Sequence, residues 1–163
     1  MSCAKCWIPP ITDYIGYYED CMSGNVCDNI IDHDWSMRKS TYSNNEGKSK
    51  TSDERVEMDE VWVMKDMPYY DDIKKGVLKT IKEYSNHHKL FSCQRHTDFR
   101  INKYSKGGFM SEHVDNIHHS HGQQYGYPQV SVLLYLNDDY EGGEFFVAKE
   151  MFLPEKGSAI IIV

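Results

Sequence analysis

Two residues two apart carry the most specific chemistry in this chain. In Phe109-Met-Ser-Glu-His113-Val-Asp115-Asn116 an imidazole and a carboxylate flank a single apolar residue, Val114. On a strand, side chains at i and i+2 leave the same face, so His113 and Asp115 would point into one cavity. Together they form two thirds of the two-histidine, one-carboxylate set that holds non-haem iron(II) and leaves positions open for other ligands. Taken alone, His-x-Asp is a common triplet, and a surface histidine beside a solvated aspartate is its ordinary reading. Its context must decide.

Other metal-binding types are present in weaker patterns. His118, His119 and His121 follow in a segment rich in Gly, Gln and Tyr, which reads as a loop at a pocket mouth rather than a ligand source. Cys3-Ala-Lys-Cys6, with Cys21 and Cys27, has one zinc-like pair, but the second pair is too widely spaced and ordinary thiols are the better reading.

The elements that must position His113 and Asp115 come in two blocks. Ser23-Gly-Asn25 ahead of Val26-Cys-Asp-Asn-Ile-Ile31 suits a helix start. The polar residues 38–57 read as a mobile loop, and Val61-Trp-Val-Met64 as a strand. From Pro68, Ile73, Val77, Leu78, Ile81 and Tyr84 recur at helical spacing with lysines between them, predicting an amphipathic helix of roughly 17 residues packed on a sheet. After Phe91 the period changes to two. Short strands are expected at 98–104, 109–115, 129–137, 144–147, 150–153 and 158–163, divided by glycine, proline and aspartate turns. Along 129–137, Ser131, Leu133 and Tyr135 share one face, and Val130, Val132, Leu134 and Leu136 the other. One face can line a pocket while the other packs on helices; a core tyrosine with a satisfied hydroxyl is the alternative for each tyrosine.

Residues 98–163 resemble the prolyl-4-hydroxylase-like branch of the iron(II)- and 2-oxoglutarate-dependent oxygenases. Four motifs carry the likeness, in order: Phe99-Arg-Ile-Asn-Lys-Tyr104 through Gly107-Gly to His113-Val-Asp115; Val130-Ser-Val-Leu-Leu-Tyr135-Leu-Asn137; Tyr140-Glu-Gly142-Gly143-Glu144; and Leu153-Pro-Glu-Lys-Gly157. Residues 1–90 share only the element order. The resemblance implies an α+β fold built on a double-stranded β-helix, a jelly-roll barrel, with N-terminal helices packed on one sheet. It implies one domain over residues 1–163, with 1–90 as helical support and 91–163 as the jelly-roll core. It implies His113 and Asp115 as iron ligands and Tyr135, or less surely Tyr104, as the hydroxyl donor to 2-oxoglutarate, with Leu133 on the same pocket wall.

The implied reaction hydroxylates an unactivated C–H bond, most commonly of a prolyl residue in a peptide or protein, with lysyl residues and small molecules as other substrates of the branch. Its requirements are Fe(II), 2-oxoglutarate and O2, with ascorbate left open. The family takes its second iron histidine, and then an arginine or lysine for the distal carboxylate, from beyond the Pro-x-x-Gly strand. Because the sequence stops at Val163, a chain lacking its last strands, and weakly active or inactive as it stands, is the expectation. A non-catalytic jelly-roll binding module and a cupin-like metal enzyme of other chemistry are the competing readings.

Composition narrows the setting. At 163 residues the chain is the size of one domain. A net charge of −7 with scattered basic residues argues against a nucleic-acid backbone as ligand. Its longest apolar run, Ser158-Ala-Ile-Ile-Ile-Val163, is far below the roughly 20 residues of a bilayer span. An odd count of five cysteines and no secretory start point to a reducing, cytoplasmic compartment, and oligomeric state is left open.

Overall fold

The computed structural model describes residues 10–43, 49–50, 55–113, 115 and 129–163. Cys3, Cys6, Asn116, His118, His119 and His121 lie outside them. A 3-10 turn, Ile11–Tyr14, leads into β1 (Ile15–Tyr18) and then α1 (Gly24–Asp32). Ser23 is the N-cap of α1, as expected, but it caps through its backbone: its carbonyl accepts from the N–H groups of Val26 and Cys27.

The polar stretch 38–57 was expected as a loop, and strands occupy part of it. β2 (Arg38–Lys39), β3 (Tyr42–Ser43), β4 (Ser49–Lys50) and β5 (Val56–Glu57) are each two residues long. Composition hid the pairing because ionic contacts hold it. Lys39 bridges to Glu57 and Asp59, while Arg38 and Ser40 reach the carboxylate of Glu60, which is only 4% exposed.

β6 (Asp59–Val63) lies between β2 and β7 (Phe99–Lys103), antiparallel to both. Between β6 and β7 runs α2 (Tyr70–His87), which begins after a left-handed Tyr69 and carries Asp71 and Asp72 at its positive N-terminal end. The buried stripe of α2 is Tyr70, Ile73, Gly76, Thr80 and Tyr84, whereas Leu78, counted in the apolar stripe, is half exposed. The stripe rotates because Gly76 lets the methyl groups of Leu134 approach the helix backbone, and the Thr80 hydroxyl is satisfied by the Gly76 carbonyl at 2.9 Å.

β8 (Phe109–Met110) pairs with β5; β9 (Ser131–Leu134), β10 (Phe145–Val147), β11 (Glu150–Phe152) and β12 (Ala159–Ile162) follow. The main sheet has the order β1-β12-β9, all antiparallel, and α2 packs across it. Its Leu134 and Leu136 join Val63, Phe99 and Ile101 of the other three-stranded sheet around Met22, Cys27, Ile30, Tyr70 and Ile73. Both sheets therefore turn one face to a single helical layer, as expected for helices on one side of the strands. The described strands form five separate sheets, and the closed barrel that was expected is not seen among them.

Gly157 of the Pro-x-x-Gly motif locks this layer to the main sheet. Its N–H donates to the Tyr135 carbonyl at 2.7 Å and its own carbonyl accepts from the Met22 N–H at 2.9 Å. It sits at φ +81°, and an added Cβ would lie 2.3 Å from the Met22 carbonyl oxygen. Gly157→Ala is expected to cost roughly 2 kcal/mol or more, a melting-temperature loss of about 4 to 8 °C in thermal unfolding. The β10-β11 hairpin offers the opposite change. Its two turn residues, Ala148 and Lys149, have φ of 52° and 73°, the type I′ geometry that favours Asn-Gly. Replacing them with Ala148→Asn and Lys149→Gly should stabilise the protein by about 1 kcal/mol in denaturant unfolding.

Candidate functional site

β8 ends at Met110, with one further ladder bond from the Ser111 N–H to the Arg55 carbonyl, so His113 and Asp115 are not on a strand. The expected strand over 109–115 is thus short. A local contact replaces it: the His113 ring turns back so that Nδ1 lies 2.8 Å from the Ser111 carbonyl oxygen. The two side chains meet all the same, with His113 Nε2 3.1 Å from Asp115 Oδ1.

The Ser111 carbonyl can only accept, so it favours a proton on Nδ1 and leaves Nε2 to face the carboxylate. Two ligands bound cis to one octahedral ion at about 2.1 Å each stand about 3.0 Å apart. The observed separation matches. Both side chains are open to solvent, which leaves the approach free.

β9 supplies the next layer. Leu134 packs on Gly76 of α2, so alternation turns Ser131, Leu133 and Tyr135 to the opposite face, as read from the sequence. Ser131 Oγ donates to Asp115 Oδ2 at 2.5 Å, fixing the carboxylate whose other oxygen faces His113. Leu133 pairs with Ile160, which pairs in turn with Tyr17, so these three line one surface, and Ile160 is completely buried. Tyr135 follows β9, with its ring edge-on to Phe145 at 6.4 Å.

Burial pushes the Tyr135 phenol far above its ordinary value, and neighbouring Tyr140 and Tyr104 add to the rise. Tyr135 therefore stays a neutral hydroxyl donor throughout the physiological range. Desolvation likewise raises Tyr104, with Arg100 pulling the other way.

Of the residues the sequence singled out, His113, Asp115, Leu133, Tyr135 and Tyr104, the structure brings His113 and Asp115 together and sets Leu133 and Tyr135 on one face. The sequence did not assign Ser131 a part, although its face was legible from strand alternation; the missing signal was that Asp115 would lie against that face. Among the described residues no group of three His, Cys, Asp or Glu side chains could share a metal ion.

The fold finds a counterpart in the crystal structure of the viral collagen prolyl hydroxylase vCPH from Paramecium bursaria Chlorella virus-1, a 2OG complex. The two superpose with a TM-score of 0.64 at 19% sequence identity, over 91% of this chain and 77% of that one. At that identity the likeness establishes a jelly-roll-type fold. Residues 99–163 match the model of the 2OG-Fe(II) oxygenase superfamily. These are the residues whose motifs resembled that family, and the resemblance is borne out there. No curated protein matches the sequence.

If Ser131 holds Asp115 in its ligating orientation, Ser131→Ala should weaken divalent-metal binding about 10-fold or more while leaving thermal stability nearly unchanged. Titration calorimetry with Mn(II) reads the first effect and a melting curve the second.

Proposed function

We propose that this chain carries the catalytic region of an iron(II)- and 2-oxoglutarate-dependent oxygenase that hydroxylates an unactivated C–H bond. The observation that carries it is the approach of His113 Nε2 to Asp115 Oδ1 at 3.1 Å, a separation that suits two cis ligands of one ion. The match of residues 99–163 to the superfamily supports it.

His113 and Asp115 are two of the three protein ligands, and the remaining one comes from residues other than those described. Bound iron(II), with 2-oxoglutarate and O2, supplies the oxidising power for hydroxylation as 2-oxoglutarate is converted to succinate and carbon dioxide. This chain's own residues bind and orient. Ser131 holds the outer oxygen of Asp115, and the Ser111 carbonyl fixes the imidazole tautomer so that Nε2 can ligate. The neutral Tyr135 phenol donates a hydrogen bond to a cosubstrate carboxylate, with Tyr104 as the second candidate. Leu133 and Ile160 form the apolar wall that keeps water from the reacting atoms. The likeness to a collagen prolyl hydroxylase favours a prolyl residue of a peptide or protein as substrate; ascorbate would act only as an auxiliary reductant.

The test is iron-dependent turnover of 2-oxoglutarate to succinate by the full polypeptide that its gene encodes, beside a His113→Ala variant. Turnover in the parent and a loss of at least about 100-fold in the variant are expected. A parent that binds neither Fe(II) nor 2-oxoglutarate sinks the oxygenase reading in favour of a jelly-roll binding module. Metal binding with no dependence on 2-oxoglutarate would instead favour a cupin-like enzyme.

A further inference from the structure

The sheet β2-β6-β7 has a second face, opposite the core. Val63, Phe99 and Ile101 pack inward, so alternation turns Glu60 and Trp62 of β6 and Arg100 and Asn102 of β7 outward, with Arg38 of β2 opposite Glu60. The register sets Arg38, Glu60 and Asn102 in one row across the sheet and Trp62 and Arg100 in the next. Trp62 is 36% exposed. Tryptophan and arginine are the residue types that most often dominate the energetics of protein–protein contacts, and here one indole and two guanidinium groups share a single sheet face.

The charges on this face do not balance. Among these outward positions Glu60 is the only carboxylate. Its Oε2 accepts from Ser40 Oγ at 2.9 Å and its Oε1 from Arg38 Nη2 at 3.3 Å, while Arg100 Nη1 adds a weaker contact to Oε2 at 3.5 Å. Two guanidinium groups against one carboxylate leave one positive charge. Lys39 alternates away from this face and is matched by Glu57 and Asp59. Each guanidinium has five N–H donors and spends few of them on Glu60. The Arg100 Cζ also lies 5.8 Å from the centre of the Trp62 ring. An arginine braced between an indole and a buried carboxylate has lost much of its freedom before any ligand arrives, so a further charge-assisted contact costs little ordering.

We infer that this face is a docking surface for an acidic peptide segment, which lays an apolar side chain on Trp62 and a carboxylate across Arg38 and Arg100. Charge complementarity decides the occupant. In a two-fold pairing of two copies the same excess of arginine would meet itself, guanidinium against guanidinium. A nucleic-acid backbone needs several spaced cations, whereas this face offers one unmatched charge. One residual charge beside one indole suits a short segment that supplies a carboxylate and an apolar group together. Docking here uses neither His113 nor Asp115, so the inference stands or falls separately from the oxygenase reading.

The experiment measures binding of fluorescein-labelled peptides to the metal-free full gene product by fluorescence anisotropy. The probes are eight-residue peptides of alternating Asp and Leu, Asn and Leu, and Lys and Leu. The parent is expected to bind the Asp peptide about 10-fold more tightly than the Asn peptide, the worth of one charge-assisted contact, and the Lys peptide least. Arg38→Gln and Arg100→Gln should each remove most of the Asp-over-Asn preference, while Trp62→Ala should weaken both peptides alike by about 5-fold or more. Lys75→Gln, on the exposed side of α2, should change nothing, and melting curves check that every variant is folded. No preference for the Asp peptide in the parent, or a preference that survives in both arginine variants, overturns the proposal. A dimer of the parent in sedimentation that Trp62→Ala dissociates would overturn it too, by giving this face to a second copy.

Discussion

One strand with two obligations organises this molecule. β9 must press Leu134 into the groove left by Gly76 of α2, and strand alternation then leaves Ser131, Leu133 and Tyr135 no choice of face. A slip of one residue would bury the serine and tyrosine against the helix and turn the leucines toward the ligand pair. Hydrophobic packing on one side thus sets the polar geometry on the other. The fixed register explains how a pair lying off any strand, His113 and Asp115, can still be placed: Asp115 is held by Ser131, whose own position is dictated by the core.

The two three-stranded sheets share this logic but differ in what their outer faces carry. On the main sheet the face is largely apolar, with Leu133 and the fully buried Ile160, and the phenol of Tyr135 is strongly desolvated. On the other sheet it is ionic, built round a nearly inaccessible Glu60 held by a serine and two arginines. An ion pair taken out of water gains little net stability, since desolvation offsets most of the attraction. Removing Glu60 alone would still destabilise the sheet, because Ser40, Arg38 and Arg100 would lose their common partner.

Much of this was legible in the residues. Alternation along 129–137 placed the pocket face, helical spacing located α2, and the spaced motifs of 98–163 identified the family that this segment matches. Three things were not legible. In the polar stretch 38–57 the strand β2 was hidden because its partners are charged side chains on β6, which no local pattern reveals. The helix stripe was misread at Leu78 because glycine and threonine, small and polar, took the buried positions. The strand around His113 was drawn too long because a ring nitrogen competes locally with the ladder for the Ser111 carbonyl. In each case a side chain did what the backbone pattern predicts for the backbone.

The pairing of β1 with β12 has a consequence for synthesis. Ile15 lies opposite Ile162 and Tyr18 opposite Ala159, so the first strand of the main sheet waits for the last before it can pair. β12 is also the strand that joins β1 to β9, so no two strands of this sheet are neighbours without it. A nascent chain can form α1, α2 and the β2-β6-β7 sheet on the ribosome, but the main sheet cannot cover its share of the helical layer until residue 162 has left the exit tunnel. Closing so long a loop makes folding slow and leaves part of the helical layer exposed to association until β12 pairs. Chaperone binding to the emerging polypeptide, rather than local structure, is what would shield that part in the interval.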